Sequence, residues 1–318
     1  MIPALAPPAA LTLVLAALAL AWGDAGLAPG DIVAALSGDP VAAIVVGSLR
    51  APRVATALLV GACLAVAGAI TQAVMRNPLA EPGLLGINGG AGLGVTLLIV
   101  HLAGPIGQWL PVAGFAGAAL AAGTIYALSW RGGMSSIRLI LMGIGVSALT
   151  GAGIAFLTAF GDVREVQRAM GWMAGSLYGS DWTRISWLVM WSAPALGATW
   201  LLARELDLLG FDDDCVQGLG LRLHLMRGML ILLCTLIAGA AVATAGPIAF
   251  IGLLAPHLAR LSIKGGHVIR LPTAALYGAL LLLAADLVAR SLMLPAGILT
   301  PMIGVPFIGF LLRKQRDE

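Results

Sequence analysis

The chain has 318 residues, 60% of them apolar and 10% charged, with 18 Lys and Arg against 15 Asp and Glu and a mean hydropathy of +0.99. Too few charges are present to cover a soluble domain of this size, so most of the chain sits in lipid. A net charge of +3 does not point to nucleic acid, because the basic residues lie singly at segment ends and form no run with interleaved aromatics.

A bilayer core takes about 20 apolar residues per helix. The sequence offers such stretches at 4–22, 54–75, 84–103, 109–130, 139–160, 185–203, 228–246, 248–260, 272–292 and 297–312, which predicts ten spans in an all-α integral membrane protein. The first could be taken for a signal peptide, but it has no basic leader and is long enough to span, so it is counted as a helix. The third and fourth are expected to part near Gly104-Pro105, and the seventh and eighth at Gly246-Pro247. The eighth is short, and a Gly/Pro-interrupted segment at depth is tolerated only against protein or water. Forty-two glycines suit close helix packing in lipid, where small side chains let backbones approach. The stretches Gly61–Gly68 and Gly239–Gly246 resemble each other in spans of opposite direction; an inverted repeat and chance similarity in an Ala/Gly-rich chain both account for this.

Ten spans put both termini on one side. One set of loops holds Arg76, Arg131, Arg138, Arg204, Arg222, Arg227, Arg260, Lys264, Arg270, Arg313, Lys314 and Arg316, against Arg50, Arg53, Arg164, Arg168, Arg184 and Arg290 on the other. The richer set, with both termini, is expected in the cytoplasm.

No catalytic constellation is visible. Neither Lys264 nor Lys314 follows a glycine-rich phosphate loop, so an ATP-driven process needs another subunit to supply the ATPase. The three cysteines show no C-x-x-C spacing, and His101, His224, His257 and His267 show no i, i+4 pairing, so no metal site or bound cofactor is expected. Asp286 is the one clearly intra-span acid and lies four residues before Arg290, close enough to pair on one helix face. At 1.5 Å per residue from Pro272, Arg290 lies about 27 Å along a core roughly 30 Å thick. It is either a snorkelling arginine with a local partner or part of the outer mouth. Arg50 and Arg53 bracket Pro52 just before the second span; they read as interface anchors or as a docking point for carboxylates of a partner. The longest cytoplasmic segment, 204–227, places Asp212, Asp213 and Asp214 before Cys215, Val216, Leu219 and Gly220. The acids suit the first turn of a short helix ending near Gly220, to be gripped by a soluble partner or simply solvated.

Several segments carry a resemblance to a known family. They are Arg50-Ala51-Pro52-Arg53, Gly68-Ala69-x-x-Gln72, the run from Arg76-Asn77-Pro78-Leu79-Ala80-Glu81-Pro82-Gly83 to Ile87, the run Gly246–Leu253, and Pro256-His257-Leu258-Ala259-Arg260. Ala285-Asp286-x-x-Ala289-Arg290, Leu294-Pro295-Ala296-Gly297 and Ile303-Gly304-x-Pro306-Phe307 extend the match. In this order the chain resembles the permease subunits of the iron-siderophore, haem and vitamin B12 ABC importers, the FecCD-type or type II importers. The resemblance implies a single polytopic permease domain over residues 1–318 with ten helices, in the bacterial cytoplasmic membrane. It implies a second permease subunit, identical or paralogous, two ATP-binding subunits that hold the ATP and magnesium, and a periplasmic or extracellular substrate-binding protein. By the same resemblance Arg50, Arg53 and Arg290 match arginines that receive glutamates of the binding protein. Asn77 and Leu79, with Ser136 and Ile137 in the loop before the fifth span, match a cytoplasmic gate. Asp214-Cys215-Val216-x-x-x-Gly220 resembles the E-A-A-x-x-x-G pattern of ATPase-coupling helices, with Cys and Val in place of the alanines. The stretch Met170–Leu177 resembles a W-x-x-G-S-L segment shared across the family, and Gly83–Gly94 is most similar to siderophore and ferric citrate members. A ferric siderophore is therefore the expected cargo, with haem or cobalamin as alternatives. A secondary transporter, which would need coupling-ion ligands at mid-membrane, and a membrane enzyme fit the residues less well.

Overall fold

The computed structural model describes residues 2–21, 37, 39–102, 107, 109–130, 135–220 and 222–316. The described residues form thirteen helices and no strand. They are α1 Ile2–Ala21, α2 Pro40–Met75, α3 Ile87–His101, α4 Leu110–Ser129, α5 Ser136–Phe160, α6 Val163–Met173, α7 Trp182–Leu201, α8 Ala203–Leu208, α9 Asp213–Gly218, α10 Leu223–Ala245, α11 Ile251–Ser262, α12 His267–Leu292 and α13 Ala296–Arg316. Each of the ten predicted apolar stretches coincides with a helix. By length and composition α2, α4, α5, α10 and α12 can each cross a membrane, and three more helices hold shorter apolar runs. The expected break near Gly104-Pro105 lies outside the described residues.

α2 begins at Pro40, not at residue 54 as the sequence predicts. Asp39 caps it, its carboxylate accepting from the Val41 and Ala42 amides, and Pro40 occupies the first turn, where a missing N–H costs nothing. A π-type turn over Val45–Arg50 then carries the chain into the longer run Ala51–Met75. Arg50 and Arg53 therefore lie within a helix. They resemble a boundary in sequence because charge usually ends a span, whereas here both are neutralised or hydrogen-bonded inside the bundle.

The second difference is at α5, which starts at Ser136, so Ser136 and Ile137 occupy its first turn and not the preceding loop. Between the end of α5 and the start of α7 lies α6, an amphipathic helix that the hydropathy pattern does not reveal; Asp162 caps it by accepting from the Arg164 amide. The predicted break before the short eighth span is present. α10 stops at Ala245, residues 246–250 run without helix, and α11 restarts after Phe250, which takes the left-handed conformation at φ 70°.

α2 is the centre of the bundle and packs against α10, α11 and α12, with nearly every side chain from Val60 to Met75 buried. Two glycine pairs set the spacing. A Cβ on Gly61 would overlap the Gly278 carbonyl and one on Gly278 would overlap that of Gly61, while a Cβ on Gly68 would overlap the Gly252 carbonyl and one on Gly252 would press on Pro82 and the Leu64 carbonyl. Where lipid is as apolar as leucine, this backbone-to-backbone approach supplies the dispersion contacts that hold helices together.

Gly278→Leu should force α12 away from α2 and cost about 1–3 kcal/mol or more. It is expected to lower the thermal unfolding midpoint of the purified protein, while the same change at Gly123, which faces open space, should leave it near the wild-type value.

Candidate functional site

Two ionic clusters are held by α2, one within it at Arg53, on the side nearer Pro40, and one at its C-terminal end at Arg76. In the first, Asp286 of α12 is 1% exposed and accepts from two arginines. Arg53 of α2 binds it through Nε at 3.1 Å and Nη2 at 2.9 Å, and Arg290 binds through Nε at 2.8 Å. The i, i+4 pairing of Asp286 with Arg290 is as the sequence predicts; the third member comes from 233 residues away and could not be read from local spacing. Arg290 Nη1 also donates to the Ala19 carbonyl at 3.1 Å. Arg50 Nη1 donates to the carbonyls of Leu20 and Ala21 at 2.9 and 3.1 Å. Two arginines thus cap the last turn of α1, satisfying orphan carbonyls where the helix dipole favours positive charge. Arg50 is only 4% exposed, and its Nε and Nη2 have no acceptor among the described residues.

Nearby, three stretches quoted above from the sequence meet at one node. The Ser176 amide donates to Ala245 at 2.8 Å and the Gly297 amide to Gly175 at 2.9 Å. Gly175 is left-handed at φ 68°, and a Cβ there would run into the Pro247 carbonyl. The segment after α6, the break between α10 and α11, and the start of α13 are thereby locked to one another.

At the other end of α2, Arg76 closes the helix in the left-handed conformation at φ 48°. Its guanidinium donates to the Leu209 carbonyl at 2.8 Å and to that of Phe211, and pairs with Asp213 at 2.5 Å. Asp213 in turn receives Arg227 of α10 through two bonds of 3.0 and 2.9 Å, with Arg227 only 3% exposed. Partial burial pushes the Asp213 carboxyl up, but the hydrogen bonds and charges of Arg227 and Arg76 outweigh it and hold the group below the usual carboxylate range. A depressed folded value means that the bridge contributes fully above the ordinary Asp value of about 3.9 and is lost only as pH falls through the lower folded value.

The sequence predicts a helix led by Asp212–Asp214 and ended near Gly220. The structure has α9 at Asp213–Gly218, with Asp212 at the N-cap position but making no side-chain cap, and Gly220 at φ 85° just past the end. Val216 is fully buried, whereas Cys215 and Leu219 are exposed. Asp213 therefore serves as an anchor, a role that the acidic-turn reading does not include.

The expected gate residues sit beside this bridge. Asn77 follows Arg76 and its side chain accepts from the Leu79 amide at 2.9 Å, a tight turn that leaves Leu79 47% exposed. Ser136 Oγ donates to the Val74 carbonyl at 3.4 Å, which brings the start of α5 against the end of α2, with Ile137 70% exposed. Past this turn the Glu81 carboxylate accepts from the Phe250 amide at 3.2 Å and so holds the strained entry to α11. Sequence reading missed Arg76, Glu81 and Arg227 as site residues; each lies in or beside a quoted segment, but its partner is remote in sequence.

Asp286→Asn should leave Arg53 and Arg290 facing each other with no carboxylate between them. Removing one member of so buried a cluster costs about 3–5 kcal/mol. The expected result is a lower yield of folded protein and a depressed unfolding midpoint, whereas the more exposed Asp181→Asn should have little effect on either.

Residues 11–314 match the model of the FecCD transport family. The chain is 43% identical over 318 residues to the achromobactin transport system permease protein CbrC of Dickeya dadantii, covering 96% of this chain and 90% of that one. It is 35% identical over 320 residues to the "Probable siderophore transport system permease protein YfhA" of Bacillus subtilis, covering 97% and 93%. A solved metal-chelate type ABC transporter in an inward-facing conformation superposes with a TM-score of 0.87 at 29% identity, over 98% of both chains. With all-helical architecture, multiple apolar helices and a family match over nearly its whole length, the chain belongs to the FecCD transport family.

Proposed function

We propose that this chain is the permease subunit of an ABC importer that carries an iron chelate, a ferric siderophore, across the bacterial cytoplasmic membrane. It crosses the membrane ten times with both termini in the cytoplasm. A second permease subunit, identical or paralogous, completes the path. Two ATP-binding subunits hold the ATP and magnesium, and a substrate-binding protein delivers the cargo from outside. The permease itself binds no cofactor. Haem or cobalamin are the alternative cargoes.

The observation that supports this reading best is the Arg76–Asp213–Arg227 bridge. In this reading α9 is the part of loop 204–227 that the ATPase grips, through Asp212, Asp214, Cys215, Leu219 and Gly220 on its accessible side. A displacement of α9 pulls Asp213, and Asp213 is bonded to the residue immediately before the Asn77–Leu79 turn. Closure of the ATPase subunits is thereby passed to the gate formed by Asn77, Leu79, Ser136 and Ile137, without a nucleotide site in this chain. At the opposite end, Arg50, Arg53 and Arg290 present three cations against one carboxylate. The partly exposed edge of Arg53 suits a carboxylate of the binding protein, with the buried Arg50 and Arg290 adding positive charge behind it.

The test is uptake of radiolabelled ferric siderophore by proteoliposomes holding the whole complex, with hemin and cobalamin as competitors. Asp213→Asn is expected to keep the complex assembled and hydrolysing ATP while uptake per ATP falls at least about fivefold, a loss of the size of one partly screened charge pair. Unchanged uptake per ATP would remove the bridge from the coupling path. Transport of hemin or cobalamin with no response to any ferric siderophore would replace the cargo.

Arg53→Gln should weaken docking of the binding protein about tenfold, as expected for loss of one interfacial charge pair of about 1.5 kcal/mol. The affinity of the variant should also vary less steeply with salt. Equal affinity and equal salt dependence would reduce Arg53 to a partner of Asp286.

A further inference from the structure

On the arginine-rich side, a cavity of about 430 Å3 opens between α2, α8, α11 and α12. Its polar lining is strongly one-sided in charge: Gln72 from α2, Arg76 and Asn77 just past its end, Asp207 from α8, Arg260 from α11, and His267 and Arg270 from α12. The one carboxylate is already engaged. Asp207 accepts from the His267 backbone amide at 3.0 Å and lies 2.6 Å from His267 Nδ1, so it caps the start of α12. Arg76 is committed to Asp213 and to the two carbonyls described above. Arg260 spends Nη1 on Gln72 Oε1 at 2.6 Å, but its Nη2 is buried with no acceptor among the described residues, and so is Arg270 Nε. Two arginines therefore line one roomy cavity, each with a buried donor that has no acceptor among the described residues, an arrangement that carries a cost unless a small turn of the guanidinium brings that donor to an anion in the cavity.

The depth of the cavity narrows the choice of anion. Arg260 lies near the end of α11 and Arg270 in the first turn of α12, both at the border of the apolar stretches. The indole of Trp200 donates to the Val268 carbonyl at 3.2 Å, placing an amphipathic ring at the same level, as is common where helices meet the headgroup region. Guanidinium groups suit phosphate oxygens because their N–H bonds can meet two oxygens at once. Basic pockets between membrane helices on the positive side take anionic headgroups.

We infer that this cavity is a phosphate-binding site, occupied by the headgroup of an anionic phospholipid from the adjacent leaflet through Arg260 and Arg270. Bound there, the headgroup ties α11 to α12 and rests beside Arg76, so lipid composition acts on the same end of α2 that carries the bridge to α9. The site stands independently of the cargo and of the coupling role given to α9.

The purified full-length permease, stripped of lipid in detergent, is titrated with phosphatidylglycerol, with phosphatidylcholine and separately with inorganic phosphate, reading bound lipid by native mass spectrometry and stability by thermal unfolding. Phosphatidylglycerol should bind and raise the unfolding midpoint well above the effect of phosphatidylcholine. Arg260→Gln with Arg270→Gln should weaken that binding about thirty-fold, the loss expected for two phosphate-facing arginines. Because Arg260 also holds Gln72, Arg270→Gln alone is the milder variant, with about a five-fold loss, and Arg270→Lys should restore most of it. Stabilisation by millimolar inorganic phosphate that displaces phosphatidylglycerol would assign the same site to a soluble phosphate. Equal binding of both lipids, unchanged in Arg270→Gln, with no effect of phosphate, would overturn the proposal. So would loss of ATPase association in Arg270→Gln with lipid binding intact, since the pocket would then serve a carboxylate of that subunit.

Discussion

The structure depends on the close approach of α2 to its neighbours. A helix of 36 residues is about 54 Å long, well beyond a core of roughly 30 Å, and most of its run Ala51–Met75 is buried. Lipid offers no hydrophobic drive to hold such a helix in place, so its position rests on contact quality. Gly61 against Gly278 and Gly68 against Gly252 let carbonyls of α2 and its partners touch where any side chain would hold them apart. Once α2 is fixed in this way, whatever binds its two ends is mechanically connected through a rod that has little room to slide.

Buried charge in such a bundle needs a local answer for each group. Arg53 and Arg290 share Asp286, and Arg290 and Arg50 also cap α1. A cationic side chain can end a helix and cancel an acid at the same time, which is why arginine serves at these positions where lysine would not reach two acceptors in fixed geometry. The arrangement gives these charges a structural role: they are part of how α1, α2 and α12 are joined.

Much of the fold was legible because apolar runs bounded by charge or by Gly-Pro carry the span pattern directly, and the break at Gly246-Pro247 and the short α11 appear where that pattern puts them. The beginning of α2 was not legible, since Arg50 and Arg53 look like an interface when their partners are unseen. Pairing at i, i+4 exposed Asp286 with Arg290, but Arg53 reaches the same acid across the whole fold, and no local rule encodes that. α6 was missed because its apolar and polar residues alternate on a helical period and average out in a hydropathy scan. Arg76 was visible only as one more loop cation. Its role depends on the left-handed turn that aims it at Asp213, and that conformation is uncommon for a residue other than glycine.

The two clusters held by α2 follow one plan, one carboxylate bridging two arginines from different helices, yet their surroundings differ. Asp286 is 1% exposed, so its bonds act in a low dielectric and any separation leaves ions stranded. Asp213 is 40% exposed, so water can replace a bond to Arg76 as it breaks. A dry cluster resists displacement and a wet one exchanges partners at modest cost. The Asp286 end is thus the fixed anchor of α2, and the Asp213 end is the one whose bonds can open and re-form at modest cost.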